Sequence, residues 1–225
     1  MIGVLIALAL AAQTLPPLDP KLAPLIAPVS AAIEAERAAQ AALPPPADDA
    51  ERLIRMGRID QVGRNAGVKI DLSGLSPSDR QAAFAALWEP VQAIDEANQA
   101  QLLKMLPPEG WFYQGRYGPA ASNAAFLIIQ HSKPDLWRRF VPVMEPLVAK
   151  GEVPGPAYAL MYDRLALSEG RLQRYGSQMN GCRDGHYFAD KLEDPQTVDQ
   201  RRAAIGFVQT LAQYEAYFAT YPPCR

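Results

Sequence analysis

Three short polar motifs interrupt sequence that otherwise has the apolar spacing of packed helices. They are Gln130-His131, Asp163-Arg164 and the segment 173–178, which contains two glutamines, an arginine, a tyrosine and a serine. Burying a polar side chain is costly unless it is paired, so such motifs usually belong to a hydrogen-bond network or to a binding site. These residues are therefore the first candidates for chemistry in this chain.

His131 is the candidate general base, because an imidazole changes its charge close to neutral pH. It follows a predicted helix that begins at Pro119 and is apolar on almost every side, so we expect that helix to be central. Pro134 prevents the helix from continuing, which predicts a bend where the ring can reach a cleft. The alternative is a histidine that caps the helix, since C-terminal carbonyls favour a protonated imidazole.

Asp163 is predicted to face the core, because the residues three and four positions away in its helix are all apolar. A buried aspartate is rarely left unpaired, and its possible partners are Arg174, Arg202 and His131. One interpretation is that Asp163 orients His131 for catalysis, as in nucleophile–base arrangements. The other is a buried ion pair that fixes the packing of the helix.

The segment 173–178 is predicted to belong to a small β-hairpin near residues 172–192, with strands near 172–179 and 186–192. The Asn-Gly and Asp-Gly dipeptides between these strands are typical of turns. Alternate residues of a strand share one face, so this polar cluster would be divided between the two sides. The alternative is an exposed hairpin whose outer residues are simply polar.

Five residues of these motifs are predicted to bind a substrate, because their side chains can hold a peptide, glycan or amide by hydrogen bonds. They are Gln130, Arg164, Gln173, Tyr175 and Gln178. The predicted catalytic residues are His131 and Asp163. The sequence offers no clear nucleophile, since neither cysteine has the surroundings of a catalytic thiol and nothing supports Ser177 in that role.

No metal site and no cofactor are expected. His131 and Asp135 have the spacing of metal ligands on a helix, but Pro134 breaks the helix that this spacing requires. His186 is the other histidine of the chain. The sequence has no G-x-S-x-G, no H-E-x-x-H and no glycine-rich phosphate-binding motif.

Two charged pairs at helical spacing are predicted to be surface salt bridges. Asp60 precedes Arg64 by four residues, and Asp199 precedes Arg202 by three. Such pairs usually contribute only about 0.3–0.5 kcal/mol to helix stability. No functional role is expected for either pair.

Composition places the chain among globular proteins with no nucleic-acid partner. Its 225 residues are 49% hydrophobic, and the net charge of -2 arises from interspersed charges of both signs. This balance provides no basic surface for nucleic acid or for an anionic membrane. The length suits one core, which makes a second full domain doubtful.

Residues 1–12 are predicted to be a signal peptide. They read MIGVLIALALAA, an uncharged apolar run with an A-x-A cleavage pattern at Ala9-Leu10-Ala11. A bilayer span needs about 20 apolar residues, so no stable membrane anchor is expected after cleavage. The prediction is a periplasmic or secreted protein. The alternative is a buried first helix, because no lysine or arginine precedes the run.

The elements that must position the motifs are predicted to be helices. Residues 13–47 are predicted to be a proline-rich segment with a short helix, which Pro44-Pro45-Pro46 ends. Residues 48–225 are predicted to form a single, mainly α domain, a compact multi-helix fold with one small hairpin. Within it, Ser76-Pro77 supplies the N-cap and first residue of a long helix toward Leu106.

Cys182 and Cys224 are predicted to form a disulfide, since an even number of cysteines in an exported protein usually pairs. The bond would tie the C-terminal tail to the loop after Tyr175. Closing a loop of this length would stabilise the fold by roughly 3–4 kcal/mol. The alternative is two thiols that do not meet.

The order of the motifs resembles a family of uncharacterised bacterial proteins known only as a domain of unknown function. The family pattern is D-Q-x-x-R, a Gly-Trp turn, Q-H-A-D, D-R, Q-x-Y-G-T-Q and V-D-x-R-R. It corresponds in this chain to residues 60–64, 110–111, 130–133, 163–164, 173–178 and 198–202. The resemblance covers roughly residues 51–218.

The chain departs from this family pattern at a few positions. Ser132-Lys133 replace Ala-Asp after the histidine, Ser177 replaces a threonine, and Phe112 replaces a proline. Any role of the acidic residue that follows the histidine is therefore lost here. The resemblance implies no activity for this chain, and it implies only that these residues act together.

Three functional hypotheses follow. The first is an exported hydrolase or amide-processing enzyme in which His131 is the base and Asp163 orients it. The second is a non-catalytic periplasmic binding or interaction module whose polar patch holds a small-molecule, peptide or glycan ligand. The third is a purely structural polar network that joins the hairpin to the helices.

Overall fold

The computed structural model describes residues 18–221 and Cys224, and the predicted signal peptide lies outside these residues. The described part is mainly α, as predicted. Its helices are α1 (Ala23–Ala41), α2 (Asp49–Gly67), α3 (Pro77–Met105), α4 (Gln114–Tyr117), α5 (Pro119–Gln130), α6 (Pro134–Val148), α7 (Gly155–Ser168), α8 (Val198–Ala204) and α9 (Leu211–Phe218). Two 3-10 turns, Pro20–Leu22 and Pro195–Thr197, precede α1 and α8. None of the described helices is both long and apolar enough to cross a membrane.

The helix boundaries follow from local capping chemistry. The Asp48 side chain accepts a hydrogen bond from the Glu51 amide at 2.8 Å, which satisfies a free N–H group at the start of α2. The Ser76 hydroxyl does the same for α3 by accepting from the Asp79 amide at 3.2 Å. Pro77 then occupies the first turn, where its missing N–H costs nothing. The predicted long helix and its N-cap are therefore confirmed.

The main core surrounds α5, which is central as predicted. Seven of its residues are buried, namely Ala121, Ser122, Ala124, Ala125, Phe126, Ile128 and Ile129. Helix α2 packs closely on it, because a Cβ atom added to Gly57 would lie only 2.7 Å from the Ala124 Cβ atom. This close approach fixes the residues that follow Gly57 in α2 against the C-terminal half of α5.

A second, smaller core joins α1 to α2 and α3. It contains the buried side chains of Val29, Ile33, Leu87, Val91 and Ile94. Gly63 of α2 lets these side chains approach, since a Cβ atom there would lie 2.9 Å from the Ile33 Cδ1 atom. Helix α3 therefore has one face in this core, and its neighbouring face borders a groove at His131.

A small hairpin is present near residues 172–192, as predicted, but its strands are shorter than expected. Strands β1 (Gly181–Arg183) and β2 (His186–Phe188) pair antiparallel around a turn at Asp184-Gly185. The predicted strand at 172–179 is wrong. Three amide N–H groups of this segment donate to a side-chain carboxylate, so they are not available to a β-ladder.

The predicted disulfide between Cys182 and Cys224 is present, with the two Cα atoms 5.9 Å apart. It joins β1 to the C-terminal end of the chain. The Cys224 amide also donates to the Gly185 carbonyl at 3.2 Å, so the turn of the hairpin and the tail are held together twice.

We expect Gly155→Ala to lower the free energy of unfolding by about 1–3 kcal/mol, as overpacking of a rigid contact does. A Cβ atom at Gly155 would lie 1.8 Å from the Ile205 carbonyl oxygen, so α7 would be pushed away from the end of α8. Urea denaturation measures the change. The matched control is Gly74→Ala, since nothing lies within 4 Å of a Cβ atom there. Equal losses in the two variants would contradict the prediction.

Candidate functional site

His131 lies at the bend between α5 and α6, as its sequence context predicts. Its amide donates to the Leu127 carbonyl at 3.0 Å, which closes the last turn of α5. The carbonyl of His131 accepts from the Gln99 side chain at 3.4 Å, so the bend also contacts α3. The imidazole is 15% exposed and faces a groove rather than the bulk solvent.

The partner of the His131 ring is Asp60 of α2. The ring Nδ1 atom lies 3.0 Å and 3.2 Å from the two carboxylate oxygens of Asp60, whose side chain is 0% exposed. An ionised carboxylate only accepts hydrogen bonds, so Nδ1 carries the proton of this pair. In a neutral ring, the Nε2 atom is then the one with a free lone pair, which is the form required of a general base.

Two further residues complete this polar cluster. Gln61 donates to an Asp60 carboxylate oxygen at 2.6 Å, and the Arg64 Nε atom lies 3.8 Å from the same oxygen. Arg64 also donates to the Asp95 carboxylate of α3. Burial raises the pKa of Asp95, and the hydrogen bond and charge of Arg64 oppose that rise. The predicted surface salt bridge between Asp60 and Arg64 is therefore wrong, because the pair belongs to a largely buried network.

The cluster borders a groove of about 540 Å³ between α2, α3 and the bend before α6. Residues on one face of α3 form most of its wall. At one end the lining is apolar, with Phe84, Trp88 and Val91. The other end is polar, and its lining residues are Arg64, Gln92, Asp95, Glu96, Gln99, His131, Ser132 and Lys133.

Asp163 does not contact this groove. Its carboxylate is 0% exposed and accepts hydrogen bonds from the amides of Arg174, Tyr175 and Ser177 at 2.6–3.2 Å. Burial raises the pKa of Asp163, and these amide hydrogen bonds oppose the rise. Within the described residues, Asp60 and not Asp163 orients His131, so the predicted pairing is corrected.

Gln173 is a structural residue of the same loop. Its Nε2 atom donates to the Gln178 carbonyl, the Asn180 side chain and the Asp190 carbonyl at 2.6–3.1 Å. Its Oε1 atom accepts from the Gln178 amide at 3.0 Å. The side chain is fully buried and its donors and acceptor are occupied, so Gln173 leaves nothing for a substrate.

Gln130, Arg164 and Gln178 connect α5, α7 and the loop behind His131. Arg164 donates to the Gln130 carbonyl at 2.9 Å and to the Gln178 side chain at 3.4 Å. Burial lowers the pKa of Arg164, and the positive charge of Arg64 acts in the same direction. The guanidinium therefore supports the end of α5 from the side of α7. None of these three residues lines the groove at His131.

Tyr175 packs in the core. Its ring meets those of Tyr158 and Tyr162 edge to face, with centroids 6.3 Å and 5.9 Å apart, and burial raises its pKa. The Tyr175 carbonyl accepts from Arg202 at 2.9 Å. Because Arg202 is buried, the predicted surface salt bridge between Asp199 and Arg202 is wrong as well.

The structure therefore places the predicted base His131 at the groove. The other predicted site residues hold the loop 173–178, support the end of α5 or pack in the core. Sequence reasoning did not predict that Asp60 and Asp95 lie beside His131. The D-Q-x-x-R motif contained Asp60 and Arg64, but its helical spacing favoured a surface pair. For Asp95 the sequence held no signal, since it is one of several acidic residues in α3.

Asp60, Asp95 and His131 also form a group with the composition of a metal site. Each offers a ligand atom, and these atoms lie within 4.8 Å of one another. Two carboxylates and an imidazole suit a divalent transition metal. Arg64, however, already supplies a positive charge to both carboxylates, so an ion would have to displace a guanidinium. The expectation of no metal and no cofactor stays a prediction.

Comparison with known proteins identifies the chain by family alone. Residues 47–219 match the model of a family described as "Family of unknown function (DUF6624)". Searches of the curated proteins and of the solved structures gave no match.

We expect Asp163→Asn to lower the free energy of unfolding by about 2–3 kcal/mol, because an amide cannot accept from three backbone N–H groups as a carboxylate does. The matched control is Asp135→Asn, whose side chain is 91% exposed and pairs with Arg138 on the surface. Urea denaturation of both variants is the measurement. A control variant that loses as much stability as Asp163→Asn would contradict a structural role for this carboxylate.

Proposed function

The chain belongs to the DUF6624 family of unknown function, and because this membership assigns no activity, we propose one from the geometry at His131. The proposed function is hydrolysis of an amide or ester bond. His131 is the general base, Asp60 orients its ring, and the groove along α3 holds the substrate. The observation that carries this proposal is the buried carboxylate–imidazole pair at the polar end of the groove.

The nucleophile in this proposal is water. Ser132 is adjacent to His131, but its hydroxyl donates to the Ile129 carbonyl at 2.7 Å and is held away from the ring. The His131 Nε2 atom removes a proton from water as the water oxygen bonds to the substrate carbonyl carbon. The tetrahedral intermediate then expels the amine or alcohol, which takes the proton from the imidazolium.

Two charges assist this reaction. Asp60 stabilises the imidazolium that forms when His131 accepts the proton, since the carboxylate is buried and faces Nδ1. Arg64 lines the groove beside the ring, and its positive charge favours the oxyanion of the intermediate. Arg64 contacts both the Asp60 and the Asp95 carboxylate, so two negative charges hold its guanidinium beside the ring.

A non-catalytic binding module is the second candidate. It is supported by Ser132, whose hydroxyl donates to the Ile129 carbonyl and so provides no nucleophile beside His131 in the groove. In this function the groove binds the same class of ligand, and His131 acts as a hydrogen-bonding group. If the wild type binds the ligand without turning it over, and a His131 variant binds it more weakly, this candidate holds and the hydrolase does not.

We also infer that the protein is exported to the periplasm or the medium. The predicted signal peptide at residues 1–12 and the disulfide between Cys182 and Cys224 support this location, because disulfides persist in oxidising compartments.

His131→Gln should lower kcat/KM at least about 100-fold, because a positioned general base contributes that much to proton transfer. The assay uses p-nitrophenyl esters and acyl p-nitroanilides with the mature chain.

Asp60→Asn should lower kcat more than it raises KM, since it leaves the groove intact but favours the wrong ring tautomer.

The second histidine provides the control for this experiment. His186 is exposed in the hairpin, so His186→Gln should keep full activity. Circular dichroism and thermal unfolding establish that each variant is folded. If folded His131→Gln keeps the activity of the wild type, His131 is not the base and the hydrolase proposal fails.

A further inference from the structure

The apolar end of the groove exposes the Phe84 ring beside Trp88, which is half-buried and packs against the second core. Phe84 is 57% exposed although it is a large hydrophobic residue. Its ring lies beside that of Trp88, with the centroids 6.0 Å apart and the planes tilted by 58°. Val91, which is buried in the second core, lies beneath this wall one turn further along α3. Exposed apolar surface at the edge of a concave site is typical of a ligand-binding region.

The charged residues that line the polar end of the groove balance one another, and the Asp60 carboxylate lies buried behind His131. Two of the lining residues are positive, Arg64 and Lys133, and two are negative, Asp95 and Glu96. Arg64 and Asp95 pair directly, and Gln92 and Gln99 add neutral amides to the lining. A site with this balance favours a neutral polar group over a phosphate, a carboxylate or an ammonium group.

The two ends lie along a single helix, which sets the shape of the ligand. Phe84 and Val91 are seven residues apart, which corresponds to about 10 Å along the axis of α3. Asp95 follows one turn later, and the His131 imidazole lies on the same polar cluster. A ligand that fills the groove is therefore extended, with an apolar segment about 10 Å long followed by a polar group.

We propose that the groove binds neutral N-acyl amides of medium chain length. The acyl chain lies on Phe84, Trp88 and Val91, and the amide lies beside His131. Cleavage of this amide rests on the proposed hydrolase function, whereas binding stands on the groove alone. Each buried methylene of the chain should raise affinity about three- to fourfold.

Isothermal titration calorimetry of the mature chain with acetyl-, butyryl-, hexanoyl- and octanoyl-glycinamide is the test. Affinity should rise with chain length, and free octanoate and octylammonium should bind at least about tenfold more weakly than octanoyl-glycinamide. Equal affinity across the amide series, or tighter binding of either charged compound, would overturn the proposal.

Phe84→Ala is the diagnostic variant, because its side chain is exposed and its loss should leave the fold intact. It should weaken binding of octanoyl-glycinamide at least about tenfold and leave acetyl-glycinamide unchanged. The matched control is Leu172→Ala, since Leu172 is 51% exposed but lies outside the groove. If Phe84→Ala binds octanoyl-glycinamide as tightly as the wild type does, the acyl chain does not lie on Phe84 and the proposal fails.

The same compounds separate this proposal from the hydrolase function. If octanoyl-glycinamide binds with the expected chain-length dependence but is not cleaved, the N-acyl amide site stands and the hydrolase proposal fails. If short esters are cleaved by way of His131 but chain length has no effect on affinity or KM, the hydrolase proposal stands and this one fails.

Discussion

Helix α2 packs unusually closely on α5, and this contact positions both the main core and the groove at His131. Gly57 meets Ala124 with no room for a Cβ atom, so the two helix backbones approach more closely than larger residues would allow. Asp60 follows Gly57 by one turn and His131 follows the end of α5, so this contact sets the distance between carboxylate and imidazole. The core and the candidate site thus share one determinant, which is the contact between these two helices.

Two buried carboxylates in this fold have different roles because they have different partners. Asp163 is surrounded by backbone N–H groups, which cannot titrate or move, and it fixes the loop 173–178 on α7. Asp60 faces a guanidinium, an amide and the His131 imidazole, and an imidazole can gain or lose a proton. Burial alone does not distinguish a structural aspartate from a functional one. The two kinds of aspartate differ in the chemistry of the groups that compensate the buried charge.

The groove joins two surfaces of unlike character on one helix. Phe84 and Trp88 precede a polar stretch on the same face of α3. The lining of the groove therefore changes from apolar to polar along this helix. The end that holds His131 is also the end at which charges are paired. A base in such surroundings acts on a neutral bond more readily than on an anionic one, which links the proposed reaction to the proposed ligand.

The amino-acid sequence alone predicts the helical class, the long helix after Ser76, the central α5, the disulfide and the bend at His131. These depend on local signals, namely apolar periodicity, N-cap residues, prolines and cysteine count, which need no knowledge of distant partners. Tertiary contacts, in contrast, place Asp60 and not Asp163 beside His131, and they wrap residues 172–179 around a carboxylate instead of into a strand. Each outcome depends on the partner of a buried carboxylate. Asp60 is 71 residues from His131, and Asp163 is 14 residues from Ser177, so no local pattern predicts either pair.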